Sequence, residues 1–217
     1  MKIKRKKVLK QSFYITMKSF FDIFFSLIIL ILFSPFFLII SLLIKLSSRG
    51  PIFFLQKRIG KNNKPFYCIK FRTMHPEAQD MLENIMLNNE KLRKEFQETQ
   101  KLKNDPRITV IGNFLRKTSL DEVPQFLNVI RKEMSIVGPR PIVEEEKYKY
   151  GDVFSKVVSV NPGITGLWQV SGRNNLTYEK RVFLDELYVN NINLLMDTRI
   201  IIRTFGVIFF PMDRGAY

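Results

Sequence analysis

The sequence contains one cysteine, one histidine and one tryptophan. A single cysteine, Cys68, rules out an internal disulfide and argues against a thiolate metal site. It reads as a small apolar strand residue. The lone His75, in Met74-His-Pro76, leaves no room for a convincing serine–histidine pair and reads as structural. There is no Gly-x-x-x-x-Gly-Lys loop, no Gly-x-Gly-x-x-Gly turn and no Asp-x-Asp pair, so the common devices for holding nucleotide phosphates are missing. Acid is scarce at one end. Residues 1–76 hold fifteen Lys/Arg and one acid, Asp22, whereas residues 77–217 are close to balance with twenty Lys/Arg and nineteen acids. The formal charge of +15 is therefore local. Nucleic-acid binding calls for a basic face across a folded domain, so no nucleic-acid partner is expected. Anionic membrane lipid is, at ~1 kcal/mol per cation near the headgroups.

Between these cations, Ile23 to Ile44 are 22 residues without a charge. They make a helix of ~33 Å, enough to cross a bilayer. Six of the first ten residues are Lys or Arg, as in a signal peptide, but no small-residue cleavage site follows. Pro35 removes a backbone donor and crowds the carbonyl of Ile31, so the helix should kink or break there. Ser34 beside it can satisfy the freed groups within lipid. The second flank carries Lys45, Arg49, Lys57, Arg58, Lys61, Lys64, Lys70 and Arg72. Lysine and arginine mark the cytoplasmic side. Two basic flanks therefore predict a re-entrant hairpin broken at Ser34-Pro35, in preference to a simple crossing. A later apolar run, Thr204 to Pro211, is too short to span and reads as core or as an interfacial segment.

The remainder predicts one undivided unit of α+β class, mostly helical. Ile52–Arg58 and Phe66–Arg72 read as two short strands around the turn-rich Gly60-Lys-Asn-Asn63. Lys70 and Arg72 fall on one face of the second strand, where solvated edge cations are the plain expectation. Glu77 to Lys103 lacks Gly and Pro and places Leu82, Ile85, Leu92 and Phe96 near helical spacing, which predicts an amphipathic surface helix. Val123 to Met134 and Tyr178 to Val189 read as helices, and Asn161 to Gly166 as a loop. The predicted organisation is a membrane part, residues 1–48, and a cytosolic catalytic domain, residues 49–217.

The chemistry-bearing residues are carboxylates and arginines at loop-like positions. Arg116-Lys-Thr-Ser-Leu-Asp-Glu-Val-Pro-Gln125 sets two adjacent acids, Asp121 and Glu122, among cations. Ser119 and Glu122 fit a capping box at a helix start, which leaves Asp121 unexplained. Arg140 sits between two prolines in Gly138-Pro-Arg-Pro141, which pre-orders a planar fork suited to phosphate oxygens. Arg173 occupies another tight turn, Ser171-Gly-Arg-Asn174. A single loop arginine is ordinarily just solvated.

Five motifs in order resemble the bacterial sugar transferases, the monotopic phosphoglycosyl transferases: Lys70-Phe-Arg-Thr-Met74, Arg116 to Gln125, Ser135-Ile-Val-Gly-Pro-Arg-Pro141, Pro162-Gly-Ile-Thr-Gly-Leu-Trp-Gln-Val-Ser-Gly-Arg173 and Leu184-Asp-Glu-Leu-Tyr188. The resemblance runs from Lys18 onward and takes in Ser34-Pro35. It implies a re-entrant membrane helix, a small β-hairpin and a catalytic domain with amphipathic interfacial helices on the cytoplasmic face of the bacterial inner membrane. It implies transfer of a sugar 1-phosphate from a UDP-sugar to undecaprenyl phosphate. Asp121 would be the nucleophile and Glu122 the Mg²⁺ ligand. Lys70, Arg116, Arg140 and Arg173 would serve the phosphate and nucleotide site, with Asp185 a further acidic position there. Glu77 to Lys103 and the ending Asp213 to Tyr217 look more like the branch that uses UDP-galactose or UDP-glucose. The oligomeric state, a homodimer or otherwise, is left open.

Residue chemistry agrees with these roles. An ordinary aspartate, with a pKa of ~3.9, is ionised at neutral pH and needs no general base, unlike serine or threonine. Two other classes compete: a membrane-tethered adaptor without catalysis, and a membrane glycosyltransferase that moves the sugar without its phosphate.

Overall fold

The computed structural model describes residues 2–99, 102–172 and 175–209. The N-terminal helix α1, Lys2–Leu32, is followed after one residue by α2, Ser34–Ser47. The helix is interrupted where Pro35 predicts it. The Ile31 carbonyl, deprived of a proline donor, accepts instead from Ser34 Oγ at 2.9 Å. Within α1, Tyr14–Leu32 is long and apolar enough to cross a membrane, judged by length and composition. Two strands follow, β1 at Phe53–Ile59 and β2 at Pro65–Phe71, paired as a hairpin. The turn works because Asn62 and Asn63 accept positive φ, 56° and 61°.

The predicted long helix over Glu77 to Lys103 is two helices, α3 at Ala78–Asn88 and α4 at Glu90–Thr99. Asn89 is extended between them, and its Oδ1 accepts from Leu92 N at 3.0 Å. A short polar side chain has here exchanged a place inside one helix for the N-cap of the next. Next come α5 at Val110–Thr118 and α6 at Gln125–Ile130. The latter is shorter than Val123 to Met134, because Lys132 turns left-handed (φ 62°) and the Glu133 and Met134 amides fold back onto the Asn128 carbonyl. Strand β3, Ser135–Val137, leads through a 3-10 segment at Glu144–Val153 to α7, Phe154–Val157. Then β4, Gly163–Thr165, pairs in parallel with β3, where the sequence predicts only a loop. The chain continues as α8, Tyr178–Asn190, and α9, Leu194–Phe209, which absorbs the described part of the second apolar run.

The chain divides into two compact units. The first comprises residues up to Ser34, Leu55–Ile69 and the described residues from Pro124 on; the second comprises Pro35–Phe54 and Lys70–Val123. In the first unit, Val137, Tyr188, Val189, Ile192 and Ile200 form one core, against which Tyr14 and Ile15 of α1 pack. A buried polar network adds to it. Lys18 Nζ lies 2.8 Å from Asp197 Oδ2, which also accepts from Tyr14, while Tyr188 donates to Asp197 Oδ1. Ser135 Oγ donates to Asp22 Oδ2 at 2.6 Å. Lys18 and Asp22 thus hold α1 to α9 and β3. Asn128, fully buried, donates to the Tyr67 carbonyl and accepts from Ile69 N, fastening α6 to β2.

The second unit gathers Ile40 and Ile44 of α2, Phe71 of β2 and Leu115 of α5, with Ile52, Ile111 and Leu120 around them. Arg72 closes the end of α2. Its guanidinium is buried and donates to the carbonyls of Ser48 and Arg49, both at 2.8 Å. A cation at a helix C-terminus satisfies orphan carbonyls and complements the dipole. The expectation of a solvated edge cation is therefore wrong for Arg72.

Candidate active site

The acidic pair sits in the second unit, on a turn built by α5. Thr109 caps that helix, its Oγ1 accepting from Gly112 N at 3.0 Å. The helix ends at Ser119, which is left-handed (φ 59°), and a 3-10 turn, Leu120–Glu122, follows. Ser119 makes no side-chain cap, so the capping-box reading fails: Ser119 terminates α5 instead of starting the next helix. Leu120 reaches into the cluster of Ile40, Ile44, Phe71 and Leu115, which anchors the turn.

Four of the predicted residues come together here. Lys70, at the end of β2, places Nζ 2.6 Å from Glu122 Oε1, both side chains partly buried. This corrects the solvated reading of Lys70 as well. Arg116, on the last turn of α5, donates from Nε to Thr73 Oγ1 at 2.8 Å. Burial, then the neighbouring Glu122 charge, push the Asp121 carboxyl up to about 6, while Lys70 and Arg116 pull the other way. Its acidity is thus not the ordinary one the sequence suggests. At pH 7 the ionised form still dominates by about tenfold. Behind Arg116, Asp105 accepts from Arg107 Nε and Nη2 at 2.8 and 2.7 Å. No sequence signal singles out Asp105 or Arg107, and Thr73 carries one only through its place in Lys70-Phe-Arg-Thr-Met74.

Among the described residues, no group of three or more His, Cys, Asp or Glu side chains could hold a metal ion. Mg²⁺ does not need one, since it is commonly held by one or two carboxylates with substrate phosphate and water completing the shell. Two adjacent acids, one raising the proton affinity of the other, are a donor set that such a cation fits.

The first unit contains Arg140 and Asp185. Strand β3 runs into the Pro-Arg-Pro loop, and Gly138 N donates to the Thr165 carbonyl at 2.9 Å. Gly163 permits this, since a Cβ there would lie 2.1 Å from Gly138 N. The guanidinium of Arg140 stacks over Trp168 at 5.5 Å, and that of Arg181 over the same indole at 5.0 Å. Asp185 is fully enclosed; Tyr150 donates to its Oδ2 at 3.0 Å. Burial pushes its carboxyl up to about 7, against the Tyr150 hydrogen bond and the nearby Arg140 backbone and charge. Its Oδ1 has no hydrogen bond within ordinary geometric limits. Asp185 therefore faces Tyr150 and Arg140. Arg173 and the ending Asp213 to Tyr217 lie outside the described residues.

Comparison with known proteins assigns the chain to a family. The family model described as bacterial sugar transferase matches residues 13–211, and the chain belongs to that family. It is 46% identical over 200 residues to the exopolysaccharide production protein ExoY of Rhizobium meliloti, covering 92% of this chain and 88% of that one. It is 46% identical over 202 residues to the undecaprenyl-phosphate galactose phosphotransferase of Salmonella typhimurium, covering 93% of this chain and 42% of that protein. With the UDP-glucose:undecaprenyl-phosphate glucose-1-phosphate transferase of Klebsiella pneumoniae it shares 39% identity, over 90% of this chain and 40% of that protein. It thus spans less than half the length of these two relatives.

Proposed function

We propose that this chain transfers a hexose 1-phosphate, galactose or glucose 1-phosphate, from its UDP-sugar to undecaprenyl phosphate, giving the undecaprenyl diphospho-sugar and UMP. Such a reaction opens the membrane stage of exopolysaccharide, capsule or O-antigen synthesis. Three relatives whose names state that chemistry or that pathway support it. The observation that carries it is the acidic pair itself: Asp121, largely withdrawn from water, next to Glu122 and between Lys70 and Arg116.

An Asp121 carboxylate oxygen bonds to the sugar-bearing phosphorus, and the bond from that phosphorus to the UMP oxygen breaks. UMP leaves with the electron pair, and the hexosyl phosphate is left on Asp121. A lipid phosphate oxygen then attacks the same phosphorus and returns Asp121 as carboxylate. The obstacle is charge, since an anion attacks an anionic diphosphate. Lys70 and Arg116 offset part of it, and Arg140 and Arg173 are assigned to donor phosphates by resemblance. Glu122 would hold Mg²⁺, which when bound supplies further charge neutralisation on the transferring group.

The membrane assignment belongs to this proposal. Phe20, Ile31, Leu38 and Leu46 on α1 and α2 are 66–74% exposed, which suits lipid. A re-entrant hairpin broken at Ser34-Pro35, with basic flanks against anionic lipid, would hold the catalytic part, residues 49–217, at headgroup height on the cytoplasmic face. There the amphipathic helices would lie in the interface.

A panel of UDP-sugars with undecaprenyl phosphate tests the reading. UMP release with UDP-galactose or UDP-glucose is expected. Release of UDP would mean transfer of sugar alone, and no turnover with any donor would favour an adaptor.

A further inference from the structure

We infer that Thr73 is a positioning residue for this reaction: its hydroxyl tethers Arg116 through Nε and so orients the terminal nitrogens of that guanidinium for the transferring phosphate. The inference rests on the phosphoryl chemistry proposed above, but the tether can be read without turnover.

Thr73 itself is held by contacts that do not involve its hydroxyl. Its carbonyl accepts from Thr109 N at 3.0 Å, at the cap of α5, and the neighbouring Met74 bridges to Ile108. Gly112, in the first turn of α5, lies against the same carbonyl so closely that a Cβ would fall 1.9 Å from the oxygen. Backbone and helix are thus locked together before the side chain contributes anything. The hydroxyl, on a residue 7% exposed, is then a fixed acceptor for Arg116 Nε at 2.8 Å. A β-branched residue has few χ1 choices, which fixes that acceptor further.

The consequence follows from guanidinium geometry. Arginine recognises phosphate through a rigid fork of donors, and side-chain rotamer entropy opposes holding that fork in place. Engaging Nε with threonine settles the plane of the group and commits the edge formed by its two terminal nitrogens to other partners. Arg116 acts electrostatically on Asp121 within the same unit. The tether therefore orders a cation beside the acid before any donor arrives, which is pre-organisation of the charge that the transition state needs.

Thr73→Val removes the hydroxyl at nearly constant volume, and Thr73→Ser restores it. With Thr73→Val, kcat for UMP release should fall ~10-fold or more with little change in the KM for UDP-sugar, whereas Thr73→Ser should stay within ~3-fold of the parent. In an Arg116→Lys background, which lacks the Nε donor, Thr73→Val should cause no further loss. The Arg116 Nε–H resonance should be protected from solvent exchange in the parent and in Thr73→Ser, and lose that protection in Thr73→Val. A Thr73→Val enzyme with parental kcat, an equal loss in both backgrounds, or unchanged Nε–H protection would each overturn the inference. If the parent turns over no UDP-sugar, the functional reading has failed, and the resonance alone decides the tether.

Discussion

Asp121 is placed where ionisation is costly, and that has opposite consequences for activity and stability. Its folded-state value, about 6, lies above the ordinary value near ~3.9. The stability this group contributes is therefore complete below ~3.9 and is lost as pH rises through about 6. Asp121→Asn should raise stability in metal-free buffer at pH 7 by up to ~3 kcal/mol, with the gain shrinking toward pH 4. Denaturant titrations at the two pH values check this. The same variant should lose turnover by more than ~10³-fold. In the parent, kcat/KM should fall below pH 6, or from a lower pH where a divalent cation sits at Glu122. At this scale the motifs in the sequence single out Asp121, Glu122, Lys70 and Arg116, which the second unit brings together. They did not disclose how each is held. The Glu122 partner of Lys70 is 52 residues away, and Arg72 caps a helix whose last carbonyls no local pattern connects to it.

The elements were legible where one local signal dominated and misread where two competed. Pro35 alone dictates the break between α1 and α2, and the asparagines of the hairpin turn dictate their own left-handed backbone. Asn89 sits inside an otherwise helical pattern, and its capping preference won over continuity. Ser119 followed by Glu122 matches a helix start, yet the preceding α5 claims Ser119 as its own end. Strand β4 reads as a loop because glycine and proline suggest a turn, whereas Gly163 is there to admit the Gly138 backbone. The contact of α5 with Thr73 offers a test at this scale. Gly112→Ala puts a methyl carbon where only 1.9 Å separates it from a carbonyl oxygen, so α5 must shift. Overpacking of this kind costs ~1–3 kcal/mol. A lower unfolding midpoint together with a loss of UMP release is expected.

For the whole molecule, the lopsided charge and the uncharged stretch Ile23 to Ile44 point to a membrane before any fold is known. Two contact-defined units are not visible in the sequence, because each is assembled from separated segments that only packing joins. Topology is open to direct measurement, since Cys68 is the sole cysteine and is buried. In a Cys68→Ser background, Lys10→Cys and Ser47→Cys should both react with a membrane-impermeant thiol reagent from the cytoplasmic side. Reaction of the two from opposite sides would mean a spanning helix.

The central claim is that Asp121 captures the phosphosugar covalently. UDP-galactose or UDP-glucose, whichever the enzyme uses, is mixed with enzyme and Mg²⁺ in the absence of lipid acceptor, quenched rapidly, and the protein digested and weighed by mass spectrometry. The account predicts UMP release matched by a hexosyl phosphate on the peptide that contains Asp121, and neither in Asp121→Asn. Active enzyme that yields UMP only when lipid is added, with no adduct on that peptide, would contradict it.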